Sequence, residues 1–241
     1  MARIFSALPR QPSGPRQLPL DLAHAAGQTR DDLVAASSNA KAVALVDSWP
    51  QWPSNVVVLL GPSGSGKSHL AAIWQEESGA SRLDPAALGA AAIDAAERGP
   101  VLIDDVDAGA IDEAGLFHLI NAIRSSGHHL LMTARRFPPA WGVRLADLES
   151  RLRAAATVEI DEPDDLLLAA VITKLFADRQ VEVEPHVVHY VVRRIERSLS
   201  AAIEVVDRLD RAALERKARI SRAIAASVIE QMDAGQGRLP F

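Results

Sequence analysis

The stretch Gly61-Pro62-Ser63-Gly64-Ser65-Gly66-Lys67-Ser68 determines the expected fold class of this chain. It fits the pattern G-x-x-x-x-G-K-[ST], whose glycines let backbone N–H groups point at phosphate oxygens while the following helix adds the positive end of its dipole. An apolar run at 56–60 precedes it and an amphipathic segment follows it, as a strand and a helix would. In such a loop Lys67 reaches the outer phosphates and the Ser68 hydroxyl binds Mg²⁺. The stretch predicts a nucleoside di- or triphosphate site; the alternative is a Gly/Ser-rich surface loop that matches by chance.

The amino-acid composition limits the classes of protein to which this chain can belong. The chain has 241 residues, of which 48% are hydrophobic, enough for one sizeable domain and a smaller one. Its 26 basic and 31 acidic residues give a net charge of −5, so any DNA binding has to be local. The absence of cysteine excludes disulfides and thiolate metal sites. No apolar run approaches the roughly 20 residues that span a bilayer, and no signal-peptide core is present, so we expect a cytoplasmic protein.

Acidic residues follow the apolar run 101–103. In an open parallel sheet, ligands bind beyond the carboxyl ends of the strands, which is where Asp104 and Asp105 are then expected. Asp104 would lie beside Mg²⁺, directly or through water, and Asp105 would polarise an attacking water. A second buried-type run, 129–133, ends at Thr133, whose hydroxyl either contacts the terminal phosphate or water, or is simply satisfied within the fold.

The predicted secondary structure changes near residue 161. Before it, strand and helix patterns alternate, which predicts an α/β fold with a parallel doubly wound sheet. After it the strand signal stops and only helical patterns follow. We therefore predict a nucleotide-binding domain over 25–161, a small all-α lid domain over 162–234 and a C-terminal tail over 235–241. The predicted helices discussed below lie over 85–98, 163–178, 185–196, 199–217 and 221–232.

Two further stretches have more than one interpretation. Arginines are frequent over 193–222, but acidic residues interleave with them, which favours a salt-bridged solvated face over a DNA surface. The last six residues, QGRLPF at 236–241, place glutamine first, leucine fourth and a large apolar residue sixth. They form either a peptide that binds a partner or an unstructured end with a chance phenylalanine.

The N-terminal segment 1–24 contains four prolines and is predicted to be a flexible arm. Within it, Gln17 begins the peptide QLPLDL. In an extended backbone Leu18, Leu20 and Leu22 lie on one side, which suits insertion into an apolar groove on a partner. The alternative is that these leucines pack back on the domain.

The order of these motifs resembles that of the AAA+ ATPases, and their spelling is similar to the DnaA branch of that family. The resemblance covers roughly 25–232 and implies an AAA+ P-loop domain that binds ADP or ATP with Mg²⁺. It implies nucleotide contacts by Leu33, Val34 and His69 in addition to the loop, and metal ligation by Ser68 and Asp104. The matching stretches are DDLV at 31–34 with Ser38 and Asn39, GPSGSGKSHL at 61–70, VLIDDV at 101–106, LMTARRFP at 131–138 and LESRL at 148–152.

DnaA initiators carry a further DNA-binding domain after the lid, whereas this sequence ends at Phe241, so we expect a DnaA-like regulator of the Hda type. That resemblance implies that the peptide beginning at Gln17 docks on the sliding clamp of DNA polymerase III. It also implies that the protein stimulates hydrolysis of DnaA-bound ATP, with Arg151 as the arginine finger. We also expect little direct DNA binding and no association with a membrane. The sequence leaves open whether the protein is a homo-oligomer. The alternatives are a DNA-directed AAA+ ATPase, such as a helicase loader or transposition helper, and a degenerate module that binds nucleotide only to fold.

The sequence departs from the family pattern at three places. Ser200 stands where the lid helix of the family presents an arginine to the phosphates, and Arg197 lies one helical turn earlier. Ala134 and Arg135 replace the polar and acidic residues usual after Thr133. Asp105 stands where many AAA+ enzymes have glutamate, as in the DnaA branch. We predict slow intrinsic hydrolysis at most.

Overall fold

A computed structural model of the chain describes residues 29–236, and the structural statements that follow concern this range. The strands are β1 (Val56–Leu60), β2 (Ser81–Leu83), β3 (Val101–Ile103), β4 (Leu130–Ala134) and β5 (Ala156–Glu159). The first five helices are α1 (Ala40–Asp47), α2 (Lys67–Ser78), α3 (Ala90–Arg98), α4 (Glu113–Ser126) and α5 (Ala146–Arg153). The last four are α6 (Asp165–Asp178), α7 (Pro185–Val192), α8 (Leu199–Arg216) and α9 (Arg222–Gln236).

The strands form one parallel sheet in the order β2-β3-β4-β1-β5. This order makes β4 a neighbour of both β1 and β3. In the register, Leu60 pairs with Ala134 and Ile103 pairs with Met132. The segments that follow β1, β3 and β4 therefore meet at the carboxyl edge of the sheet, where open α/β folds bind their ligands.

Both faces of the sheet are covered by helices. Alternate residues of β1 point to opposite faces. Val56, Val58 and Leu60 belong to a buried cluster with α3, α4 and α5, whereas Val57 and Leu59 belong to another with α1 and α2. Because both faces are buried, β1 reads as a continuous apolar run and not as an alternating one. The predicted α/β fold with a doubly wound parallel sheet is confirmed.

The four helices α6–α9 surround a third buried cluster of their own. It consists of apolar side chains, and Leu168, Ile172, Val205 and Leu209 are among its most buried members. Within 29–236, no helix is long and apolar enough to cross a membrane. The α/β layers and the helical cluster meet beside the phosphate loop, as described below.

Some helix boundaries differ from the sequence predictions. The helix predicted over 85–98 begins only at Ala90, because the Asp84 carboxylate accepts a hydrogen bond of 2.9 Å from the N–H of Ala86 and forms a turn there. The helix predicted over 185–196 ends at Val192, because the N–H groups of Arg194 and Ile195 both bond to the Val191 carbonyl and tighten the chain. The helices expected near 163, 199 and 221 begin at 165, 199 and 222.

Candidate functional site

The phosphate loop connects β1 to α2 and requires glycine in its middle. Gly64 and Gly66 have φ values of +71° and +98°, which L-residues rarely adopt. A Cβ atom on Gly64 would lie 2.5 Å from the Cβ of Ser198. Glycine is therefore needed both for the backbone conformation of the loop and for the close approach of the helical region.

The side chain of Lys67 lies across the loop. Its Nζ donates hydrogen bonds of 2.8 Å and 2.7 Å to the carbonyls of Gly61 and Pro62, which leaves one of its three N–H donors available. Burial lowers the pKa of the Lys67 ammonium, the nearby Asp105 carboxylate opposes that effect, and the charge of Arg135 adds to it. A buried cation at the centre of a loop is electrostatically suited to bind an anion.

Asp104 lies at the centre of a hydrogen-bonded group at the carboxyl edge of the sheet. Its Oδ1 accepts bonds from the hydroxyls of Ser68, at 3.1 Å, and Thr133, at 2.6 Å. Its Oδ2 accepts a bond of 2.8 Å from the guanidinium of Arg82 on β2. The structure thus brings together the two residues that were predicted to bind metal, Ser68 and Asp104.

Thr133 is fully buried, and its hydroxyl is used within the fold. Besides donating to Asp104, it accepts a hydrogen bond of 2.8 Å from the N–H of Asp105. This geometry fits the strand-end interpretation, in which Thr133 orients the two acids. Direct contact between Thr133 and a phosphate stays a prediction.

Asp105 has a backbone φ of +52°, a conformation that aspartate tolerates better than most residues. Its carboxylate is partly exposed and lies 4.0 Å from Nε of Arg135, which also reaches this edge. An exposed carboxylate next to the phosphate loop is placed to hold a water molecule, the role predicted for it.

Asp107 fixes the backbone that follows β4. Its carboxylate is 1% exposed and accepts hydrogen bonds from the backbone N–H groups of Arg135, at 2.9 Å, and Arg136, at 3.0 Å. It also binds Nε of Arg136 at 3.2 Å. Asp107 thereby joins the segments after β3 and β4 into one unit.

The first turn of α8 rests on the phosphate loop. The N–H of Leu199 donates a hydrogen bond of 2.7 Å to the Gly64 carbonyl, and the hydroxyls of Ser198 and Ser200 lie 3.1 Å apart beside it. Ser200 is thus at the loop, as predicted. Arg197 precedes the helix, and its guanidinium binds Asp165 at 3.0 Å.

The predicted adenine-enclosing segment lies against both parts of the fold. The carbonyl of Thr29 is 2.9 Å from Nε2 of His69 at the start of α2. Leu33 packs on the cluster beneath β1, and the Val34 carbonyl accepts a 2.9 Å bond from Asn39. Leu33 and Val34 thus follow closely after Thr29, the residue that contacts His69 at the start of α2.

Arg151, the predicted arginine finger, lies on α5, which packs against α4. Its guanidinium carbon lies 4.7 Å from the centre of the Phe117 ring, and its buried Nε has no hydrogen-bond partner among residues 29–236. The peptide residues Gln17, Leu18, Leu20 and Leu22 lie outside the described residues.

The fold was compared with those of known proteins. No family model matches the sequence, and no curated protein is significantly similar to it. Among solved structures, domain III of the Thermotoga maritima replication initiation protein DnaA superposes with a TM-score of 0.72 at 18% identity, over 85% of this chain and 96% of that one. RuvB of the same organism gives 0.67 at 20% identity, over 85% and 72%. DnaA of Aquifex aeolicus, bound to AMPPCP, gives 0.64 at 18% identity, over 79% and 68%.

The fold is that of the AAA+ ATPases. At these identities the likeness establishes the architecture alone. The parts of the fold that were assigned from the sequence occur in the predicted order. They are the phosphate loop, the acidic strand, the sensor strand and the lid helices.

The residues of this site fit a nucleotide and its metal ion. The hydroxyl of Ser65 is buried in the phosphate loop without a hydrogen-bond partner among the described residues. Such a group is costly unless a ligand or water satisfies it. The Ser68 hydroxyl and the Asp104 carboxylate supply the oxygen ligands that Mg²⁺ prefers.

Sequence reasoning missed two residues of the site. Arg82 gave no signal, because a lone arginine in a short edge strand belongs to no motif. Asp107 was not singled out among the acids after β3, and only the structure shows that its carboxylate is buried against the β4 segment. In both cases the partner is distant in sequence, so local patterns cannot reveal the contact.

Proposed function

We propose that this chain binds an adenine nucleotide with Mg²⁺ and acts as a nucleotide-dependent negative regulator of DNA replication initiation. The observation that carries the nucleotide site is the group formed by Ser68, Asp104 and Thr133 beside the glycine loop. That the Aquifex aeolicus DnaA was solved with AMPPCP bound supports the choice of an adenine nucleotide.

Each residue has a defined role in this proposal. The N–H groups of 61–68 and the Lys67 ammonium bind the phosphates, and Ser68 and Asp104 hold Mg²⁺, which supplies charge neutralisation when bound. Asp105 orients the attacking water. The same carboxylate also faces the guanidinium of Arg135 at 4.0 Å, a contact that competes with the water and agrees with slow intrinsic hydrolysis.

The regulatory part of the proposal assigns Arg151 to a partner's site. A finger arginine stabilises the charge that develops on the phosphates when hydrolysis occurs in a neighbouring subunit. The guanidinium of Arg151 lies over the Phe117 ring and makes no ion pair with any residue of 29–236, which supports a side chain available to a partner. By the same proposal that partner is DnaA, and the peptide at 17–22 docks on the sliding clamp.

The test is the rate of ATP hydrolysis by DnaA in the presence of DNA-loaded sliding clamp. The intact chain, a Gln17→Ala/Leu20→Ala variant and Arg151→Ala are compared. Arg153→Ala is the matched control, because Arg153 lies on the same helix and, among the described residues, pairs only with Glu149 one turn earlier. We expect stimulation by the intact chain and the control, and little by the other two. A failure of the intact chain to stimulate hydrolysis overturns the regulatory role.

A second function, that of a DNA-directed AAA+ ATPase, is favoured by one observation. The arginine-rich lid was expected to be salt-bridged, and Arg208 does pair with Glu204. However, Arg194 and Arg222 instead lie over the ring of Tyr190, at 3.9 Å and 4.8 Å, without an acidic partner among residues 29–236. Two adjacent cations of this kind suit phosphate groups. Tight, steeply salt-dependent DNA binding that Arg194→Ala/Arg222→Ala weakens would favour this function.

A further inference from the structure

Arg135 originates beside the phosphate loop. It directly follows β4, and the carbonyl of the preceding residue, Ala134, accepts a hydrogen bond of 3.3 Å from the N–H of Gly61. Its own N–H is held by the buried carboxylate of Asp107. The backbone from which this side chain extends is therefore fixed next to the first residue of the loop.

The guanidinium of Arg135 has fewer contacts than those of the neighbouring arginines. It is 53% exposed, lies 4.0 Å from the Asp105 carboxylate and makes no hydrogen bond to any residue of 29–236. By contrast, Arg82 donates a 2.8 Å bond to Asp104, and Arg136 is bound by Asp107. Exposed pairs at such distances contribute little stability, so a better anion can displace this one.

The charge of Arg135 also acts on the loop lysine. Burial is the main cause of the lowered pKa of Lys67, the Asp105 charge opposes it, and the Arg135 charge lowers it further. The charge of Arg135 therefore adds positive potential at the phosphate loop, which favours anions there.

In the part of the chain that the structure describes, the lid places serines and not an arginine at the loop. Ser198 and Ser200 occupy the contact with the loop, and the Arg197 guanidinium is bound to Asp165. A second positive charge for the outer phosphates is therefore available from the sheet edge and not from α8.

We propose that Arg135 is a specificity residue that leaves Asp105 and binds the third phosphate of a nucleoside triphosphate. This inference rests on the proposed nucleotide site. Guanidinium groups bind phosphate through two parallel hydrogen bonds, which is stronger than the long contact to Asp105. Binding the triphosphate also frees the Asp105 carboxylate to hold water. A diphosphate lacks the third phosphate and leaves the Arg135–Asp105 contact in place.

The test measures the Kd of the full chain for AMPPCP and for ADP by calorimetry in the presence of Mg²⁺. AMPPCP serves as the triphosphate so that hydrolysis does not change the ligand. Arg135→Ala is expected to weaken AMPPCP binding about tenfold or more and ADP binding hardly at all. Arg135→Lys, which keeps the charge, should recover part of the loss. Arg98→Ala is the control, because Arg98 is exposed on α3 and, within 29–236, its Nε bonds only to the Asp94 carbonyl.

The outcomes separate the inference from the function on which it rests. An equal loss for both nucleotides, or no loss for either, overturns the role of Arg135 while leaving the nucleotide site intact. If the wild-type chain and Arg98→Ala bind neither nucleotide, the proposed function is wrong and the inference is wrong with it. Thermal unfolding of each variant confirms that the measured protein is folded.

Discussion

The two edges of the sheet have opposite chemistry. At the carboxyl edge, Lys67, Asp104 and Asp105 form a cluster of charges. At the amino edge, Trp52 stacks on Trp74 with ring centres 5.1 Å apart and meets the ring of His129 at 5.4 Å. The comparison indicates that this chain places most of its binding chemistry at one end of the strands and much of its packing at the other. Removal of a phosphate-binding side chain at the carboxyl edge should therefore alter affinity, and removal of a buried ring at the amino edge should alter stability.

Trp52→Ala should produce the largest effect, on stability. The side chain is 9% exposed, and its Nε1 donates a 2.7 Å hydrogen bond to the Leu45 carbonyl. Removing a buried aromatic ring costs about 3–5 kcal/mol of unfolding free energy. Denaturant unfolding measures this loss. Nucleotide affinity measured well below the unfolding transition should stay near that of the wild type, and a parallel loss of affinity would contradict the division between the edges.

Lys67→Ala tests the opposite edge. Hydrogen bonds from a charged group contribute about 1.5–3 kcal/mol, so nucleotide affinity should fall about 10- to 100-fold. Folding should be preserved, because the buried ammonium has a lowered pKa and its charge is not a source of stability. Calorimetric titration and thermal unfolding give the two readouts. A variant that unfolds instead would favour the module that binds nucleotide only to fold.

Gly64→Ala tests the contact between the loop and the lid. The new methyl group would meet Ser198, and the positive φ of Gly64 costs about 1–2 kcal/mol for an L-residue. Gly79→Ala is the matched control, because Gly79 has a φ of +68° but has no atom within 4 Å of the new methyl group. The difference in unfolding free energy between the two variants measures the clash. Equal losses of unfolding free energy in the two variants would show that the lid moves away from the new methyl group without an energetic cost.

His129→Phe should have the smallest effect, and it depends on pH. Burial, and then the neighbouring His128, lower the pKa of His129 in the folded state. The unfolded chain therefore binds more protons as the pH falls through the ordinary histidine range, near 6.5, and stability declines there. Phenylalanine retains the ring contacts with Trp49 and Trp52 but does not titrate. Thermal midpoints between pH 7.5 and 5.5 should fall less for the variant, and identical slopes would contradict this assignment.

Much of the carboxyl edge could be predicted because its residues belong to short sequence motifs. The loop from Gly61 to Ser68 and the acids after β3 each follow from adjacent residues, and the parallel sheet brings them together. Arg82 could not be predicted, since its contact with Asp104 depends on the position of β2 beside β3. The late start of α3 likewise depends on a side-chain turn at Asp84 that helix propensity does not reveal.

The hydrogen bond from Leu199 to the Gly64 carbonyl has a mechanical consequence. Helix α8 contains 18 residues and, at 1.5 Å per residue, is about 27 Å long. Its first residue is the one that bonds to the phosphate loop, so the helix can tilt about that end. A tilt of about 10° at the loop moves the far end by about 5 Å, since displacement grows with distance from the pivot. Any rearrangement of Gly64 on binding of the proposed nucleotide would therefore be magnified at Arg216, at the end of this helix farthest from the loop.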